Sequence, residues 1–153
     1  MAQTVFDGID AVRAAVGTHL GHSGWTTITQ EQVQTFADAT GDQQWIHVDV
    51  ERATAESPFG GPIAHGYFTL ALTNLFLPQV VEVQGVSVGV NRGTGKIRFP
   101  APVPVGSRLR AGVQLASVDE VAGGIDTTMV ITVEREGTDK PVCVVESLSR
   151  YLA

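Results

Sequence analysis

Apolar residues recur along this chain with two different periods, and the change from one to the other falls near residue 80. In the first half the spacing is helical. Residues 7–16 (DGIDAVRAAV) set Ile9, Val12 and Val16 on one face, behind Asp7 as an N-cap. Gly17, Gly21 and Gly24 then break the chain before a short strand at 25–28. Thr29-Gln30-Glu31-Gln32 reads as a capping box, and Val33, Phe36 and Ala37 form the apolar face of a helix that stops at Gly41. A second short helix is predicted from Asp49 to about Ser57, ended by Pro58.

The stretch HGYFTLALTNLFL (65–77) is apolar on every side, which predicts a helix buried all round and closed by Pro78. Beyond it the period becomes two. Strands are predicted at about 80–90, 95–99, 107–118, 125–135 and 141–151, with Leu109, Ala111, Val113 and Leu115 on one face and Arg110 and Gln114 on the other. A buried helix followed by long antiparallel strands implies an α+β architecture, one sheet wrapped around that helix. The sheet's open edges are satisfied by a second copy, so a homodimer is expected.

Composition narrows the class. The 153 residues, 43% of them hydrophobic, fit one domain spanning 1–153 with a core of its own. The single cysteine, Cys143, rules out an internal disulfide framework and fits a reducing cytoplasm. The N-terminal MAQTVFDGID has neither the basic nor the apolar region of a signal peptide, and the apolar run at 63–77 is too short to span a bilayer. A net charge of −6 argues against general nucleic-acid binding. A cytoplasmic protein without membrane or nucleic-acid partners is expected.

Two stretches carry candidate chemistry. Asp42 and His47 lie five residues apart, just past a predicted helix end. A continuing helix or a strand would point them apart, so only an irregular loop, begun by the flexible Gly41, brings them together. There they would share one water as general base and general acid. The alternative is that Asp42 caps a turn and His47 is an ordinary surface or hydrogen-bonded histidine. In GGPIAHGYFTL (60–70), Gly66 falls in the first turn of the buried helix, where backbone N–H groups lack intrahelical partners. A carbonyl can approach closely there, and negative charge developing on it would be stabilised. Alternatively, Gly60, Gly61 and Gly66 are turn and packing glycines. His65 is expected to be structural, buried and hydrogen-bonded.

These stretches resemble the MaoC-like hydratases, the (R)-specific enoyl-CoA hydratase group, which carry a Gly-Asp-x-Asn-Pro-x-His signature. Here it reads Gly41-Asp42-Gln43-Gln44-Trp45-Ile46-His47, after Phe36-Ala37 and before Asp49 and Arg52-Ala53. Pro62-Ile63-Ala64-His65-Gly66 matches the run that opens the family's central helix, and Arg98-Phe99-Pro100-Ala101-Pro102-Val103 is similar to its Phe-x-x-Pro-Val segment. The resemblance covers nearly the whole chain, in order. It implies a hot-dog fold, Asp42 and His47 as the catalytic pair, and the Gly66 amide as oxyanion hole. Gln44 and Trp45 depart from the signature and look like the nodulation protein N-like branch. Asn74 stands near where some relatives carry a serine, and is expected to line the acyl pocket. The implied reaction adds water to, or removes it from, an acyl thioester without metal or other cofactor.

From residue 83 to 118 there is no acidic side chain, yet Arg92, Lys96, Arg98, Arg108 and Arg110, half of the chain's ten basic residues, all fall there. Such a segment would attract the phosphates of coenzyme A or an acidic acyl carrier protein, with Arg92, Lys96 and Arg98 foremost as substrate-binding groups. A solvated strand face is the alternative. Other sites fare worse. His19 and His22 lack companion ligands for zinc, Cys143 sits among valines, and no glycine-rich phosphate loop is present. Two other functions stay open: a hot-dog thioesterase, and a non-catalytic module that binds acyl thioesters.

Overall fold

The computed structural model describes residues 2–153. Its elements are β1 (Thr4–Asp7), α1 (Ile9–Ala14), β2 (His19–His22), β3 (Thr26–Thr27), α2 (Gln30–Thr40), α3 (Trp45–Val48), α4 (Val50–Glu56), α5 (Gly66–Ala71) and α6 (Thr73–Val80). Strands β4 (Val81–Gln84), β5 (Val88–Arg98), β6 (Arg108–Val121), β7 (Gly124–Arg135) and β8 (Cys143–Leu152) follow. The long strands form an antiparallel sheet in the order β2-β6-β7-β8-β5, with β3 also paired to β6. The sheet curves around α5 and α6, which is the α+β hot-dog arrangement.

The period-two face closes the core as expected: Leu109, Ala111, Val113 and Leu115 are fully buried, as are Ile131 and Val133 of the neighbouring strand. Phe68, Phe76 and Val80 of the central helices pack into the same core. Burying a side chain such as Phe76 contributes about 1.5–3 kcal/mol relative to leaving it exposed. The capping box at Thr29 forms in both directions: its hydroxyl accepts from the Gln32 amide, and the Gln32 side chain accepts from the Thr29 amide. Asp49 caps α4 through the Arg52 amide.

Four local expectations are corrected. Asp7 is not a cap; it ends β1, and Gly8 precedes α1 without a side-chain cap. The region 80–90 is not one strand. β4 pairs in parallel with β1, and β5 begins only after the turn that follows. Because β1 is far away in sequence, no local pattern marks that pairing. Pro78 lies inside α6 instead of closing it: the helix runs two residues further, to Val80, with no amide hydrogen bond from position 78. The central helix is divided at Leu72 and is not enclosed on all sides: Tyr67 is 73% exposed and Leu75 47%. The sheet edge β5 likewise exposes Val88 and Val90. Among the described residues, no helix is long and apolar enough to cross a membrane.

Candidate active site

Helix α2 ends on Gly41, which adopts the left-handed conformation (φ 84°) that a side chain would resist. The chain turns there, and the turn is stitched by short polar bonds. Asp42 Oδ1 accepts from the Gln44 amide at 3.3 Å, and the Gln43 side chain donates to Asp38 at 2.7 Å. One helical turn, α3, follows and carries His47. Trp45 takes the first position of that turn, where an amide has no intrahelical partner and a proline or another residue serves equally well. Arg52 covers the Trp45 ring at 4.2 Å. The two departures from the signature thus leave the turn intact.

The loop is locked to the segment that leads into α5. His47 Nδ1 lies 2.6 Å from the Ile63 carbonyl, and His65 Nε2 lies 3.0 Å from the Asp42 carbonyl. A carbonyl only accepts, so each of these nitrogens carries the proton, which leaves Nε2 of neutral His47 with a free lone pair. The Ile63 amide returns a bond to the Ile46 carbonyl at 3.1 Å. Between these bonds the two imidazoles stack, centroids 3.9 Å apart and planes at 27°.

The expected pair therefore does converge. An oxygen of Asp42 and a ring nitrogen from each of His47 and His65 lie within 4.8 Å of one another. Asp42 faces solvent, whereas His47 is only 8% exposed, so His47 belongs to the buried interior where a surface position was the alternative. Phe36, Thr40, Asp42, His47, His65, Gly66, Tyr67 and Phe99 surround a cavity of about 590 Å³. The three donors do not make a metal site. Stacked rings hold their in-plane lone pairs in nearly parallel planes, which cannot meet at one ion roughly 2.0–2.1 Å from both nitrogens.

Gly66 opens α5, so its amide has no partner within the helix. The Phe99 ring lies so close that a Cβ on Gly66 would sit 3.1 Å from it. A side chain at 66 would thus meet that ring, and Gly66 lines the cavity beside it. Gly66 and Phe99 also line a second, more apolar cavity of about 380 Å³, with Ile63, Thr69 and Val103. Asn74 is placed elsewhere. It lines a separate space of about 390 Å³ with Tyr67, Leu70, Thr94 and Ser147. Phe36, on the apolar face of α2, packs against the core as that face implies, and its ring also walls the cavity and meets His65 edge-on at 5.0 Å.

The basic segment divides in space. Arg92 lies 3.2 Å from Asp126, which Arg150 also grips with two hydrogen bonds; these hold the Asp126 carboxyl below its ordinary range, the Arg150 bond foremost. Arg108 pairs with Glu136 at 2.6 Å and Arg110 with Glu134, and both guanidinium groups lie over Trp25. Of this segment, only Lys96 and Arg98 have no ion-pair partner among the described residues, and neither lines the cavity of Asp42 and His47. His19 Nδ1 accepts from the Gly21 amide, which engages one of that pair's nitrogens.

The MaoC like domain family matches residues 11–137 of the chain. A relative from Mycobacterium tuberculosis, 3-hydroxyacyl-thioester dehydratase Z, is 53% identical over 97% of this chain and 98% of its own. Nodulation protein N of Rhizobium leguminosarum bv. viciae is 41% identical over 85% of this chain and 82% of its own. Among solved structures, the R-hydratase PhaJ1 from Pseudomonas aeruginosa superposes with a TM-score of 0.72 at 23% identity, over 90% of this chain and 81% of that one. This last likeness carries the hot-dog fold.

Cys143 is fully buried, and burial pushes its thiol up to about 11, so almost no thiolate exists at neutral pH. At pH 8, Ellman's reagent is expected to find no thiol in the folded protein and one after denaturation. Rapid reaction of the folded protein would show that the thiol is accessible after all.

Proposed function

The chain belongs to the MaoC-like domain family and is a hydratase or dehydratase of acyl thioesters; we propose that it interconverts a trans-2-enoyl thioester and an (R)-3-hydroxyacyl thioester. The observation that supports this most directly is the convergence of Asp42 and His47 in one cavity whose wall also includes Gly66. The Asp42 carboxylate and the free Nε2 of His47 are both proton acceptors. Together they hold one water by its hydrogens and turn its oxygen toward the β-carbon. As the C–O bond forms, a proton passes from the water to the pair, and the pair returns a proton to the α-carbon. The net change is addition of one water, and dehydration runs the same path backwards.

The α-position is acidic because charge spreads onto the thioester oxygen, so the proposed reaction needs no metal or redox group. The Gly66 amide is the donor for that oxygen. Asn74 would meet only an acyl chain long enough to pass Tyr67, the residue its separate space shares with the cavity of Asp42 and His47. Coenzyme A or an acyl carrier protein delivers the substrate, and Lys96 and Arg98, with their charges unspent, are the groups for its phosphates. Arg92 would first have to leave Asp126. A reducing cytoplasm is the compartment in which this chemistry is placed.

Asp42→Asn and His47→Ala should each lower hydration of a short enoyl-CoA by about two to four orders of magnitude. Loss of enoyl absorbance measures this, and free-thiol release in the same assay detects hydrolysis instead. Near wild-type turnover by either variant would remove that residue from the mechanism, and thiol release as the main reaction would make the protein a thioesterase.

The carrier site makes its own demand. Lys96→Glu with Arg98→Glu should raise KM for an enoyl-CoA several-fold with kcat little changed, and the effect should shrink in high salt. Reversing Arg108 and Arg110, already paired, should leave KM nearly unchanged. N-acetylcysteamine thioesters, lacking the nucleotide, should ignore both pairs. An unaltered KM for the first double variant would place the phosphates elsewhere.

The exposed edge β5, whose Asn91 and Thr94 share a cleft with Tyr67, is the surface for a second copy, and a homodimer is proposed. Light scattering at micromolar concentration should give the dimer mass or a multiple of it. A stable monomer would contradict it.

A further inference from the structure

We propose that His65 is a positioning residue that sets the geometry of the acid/base pair, a role that rests on the hydratase reading above. The ring is 3% exposed and has two partners in the pair. Its Nε2–H donates to the Asp42 carbonyl at 3.0 Å, and its face lies on His47 at 3.9 Å. The carboxylate of Asp42 pivots from the main-chain point that His65 holds, with Oδ2 3.9 Å from Nε2. When His65 is replaced, the Asp42 carbonyl loses its donor, whereas His47 loses a stacked ring but keeps its own bond to Ile63.

The other ring nitrogen shows that packing is not the whole reason for a histidine here. His65 Nδ1 is buried and has no hydrogen-bond partner. A leucine or phenylalanine would fill the space without burying an unmatched lone pair, which is costly. The histidine keeps that cost and gains one directed bond to residue 42. It does not reach the reacting atoms through an open donor of its own, because Nε2–H is already engaged.

The test measures kcat and KM for a short trans-2-enoyl-CoA, alongside thermal stability. His65→Leu should lower kcat by about 10²-fold, the scale of a misplaced catalytic group, with KM changed by less than about threefold. His65→Gln can set an N–H where the ring has Nε2, and should recover most of that loss; His65→Asn is too short and should not. In the Asp42→Asn background, adding His65→Leu should cost no more than about threefold, because the two act through one group. Wild-type kcat in His65→Leu, or fully additive losses in the double variant, would overturn the role. If His65→Leu does not fold, equal kcat in the Gln and Asn variants overturns it instead. Wild-type protein that turns over no enoyl thioester overturns the hydratase reading, and this role with it.

Discussion

Two imidazole-to-carbonyl hydrogen bonds run in opposite directions between the loop after α2 and the lead-in to α5. His47 of the loop donates to Ile63 of the lead-in, and His65 of the lead-in donates to Asp42 of the loop. The rings stack between them, so neither segment can slide without breaking a bond and opening the stack. Everything proposed for this site depends on that exchange. It fixes the tautomer of His47 and so leaves Nε2 as an acceptor, and it anchors the backbone from which the exposed Asp42 reaches the cavity.

The remaining fold serves that junction. The long antiparallel strands bury Phe68 and Phe76, which pins the central helices and therefore the direction in which the Gly66 amide opens. The Val103 carbonyl accepts from the Ala64 amide at 2.8 Å, tying the segment after β5 to the lead-in, and Phe99 of the same segment covers Gly66. The site is thus built where three chain segments meet, with the loop bonded to the lead-in and the lead-in bonded in turn to the segment after β5. A backbone donor held by a packed core is already oriented before charge develops on its partner, which is the condition for effective electrostatic stabilisation.

Local physics was legible in the sequence and distant physics was not. The capping box at Thr29, the left-handed stop at Gly41 and the buried alternation from Leu109 to Leu115 each need only neighbouring residues, and each stands as read. Asp42 and His47 were marked by the signature, and their spacing called for an irregular segment, which the turn after Gly41 supplies before His47 enters the one-turn helix α3. The pairing of β1 with β4, by contrast, joins segments with nothing between them to announce it. The basic run from Arg92 to Arg110 is free of acids only along the chain; Asp126 of β7 reaches Arg92 from two strands away, and Glu134 and Glu136, at the end of β7 and just past it, reach Arg110 and Arg108 of β6. His65 could be assigned a buried, hydrogen-bonded place, but its grip on Asp42 and its stacking on His47 depend on a meeting of two loops. The exposed face of the central helix escaped for a related reason. Apolar character says what avoids water, not which face the sheet covers, and Tyr67 and Leu75 lie on the face it leaves open.

The central claim is that Asp42, His47 and the Gly66 amide address three adjoining atoms of one thioester. A crystal structure of the Asp42→Asn variant with a trans-2-enoyl-CoA bound tests it most directly. The account predicts the thioester oxygen about 3 Å from the Gly66 nitrogen, with the β-carbon facing the gap between residue 42 and His47 Nε2. A thioester oxygen held by other donors, or a β-carbon turned away from both side chains, would contradict it.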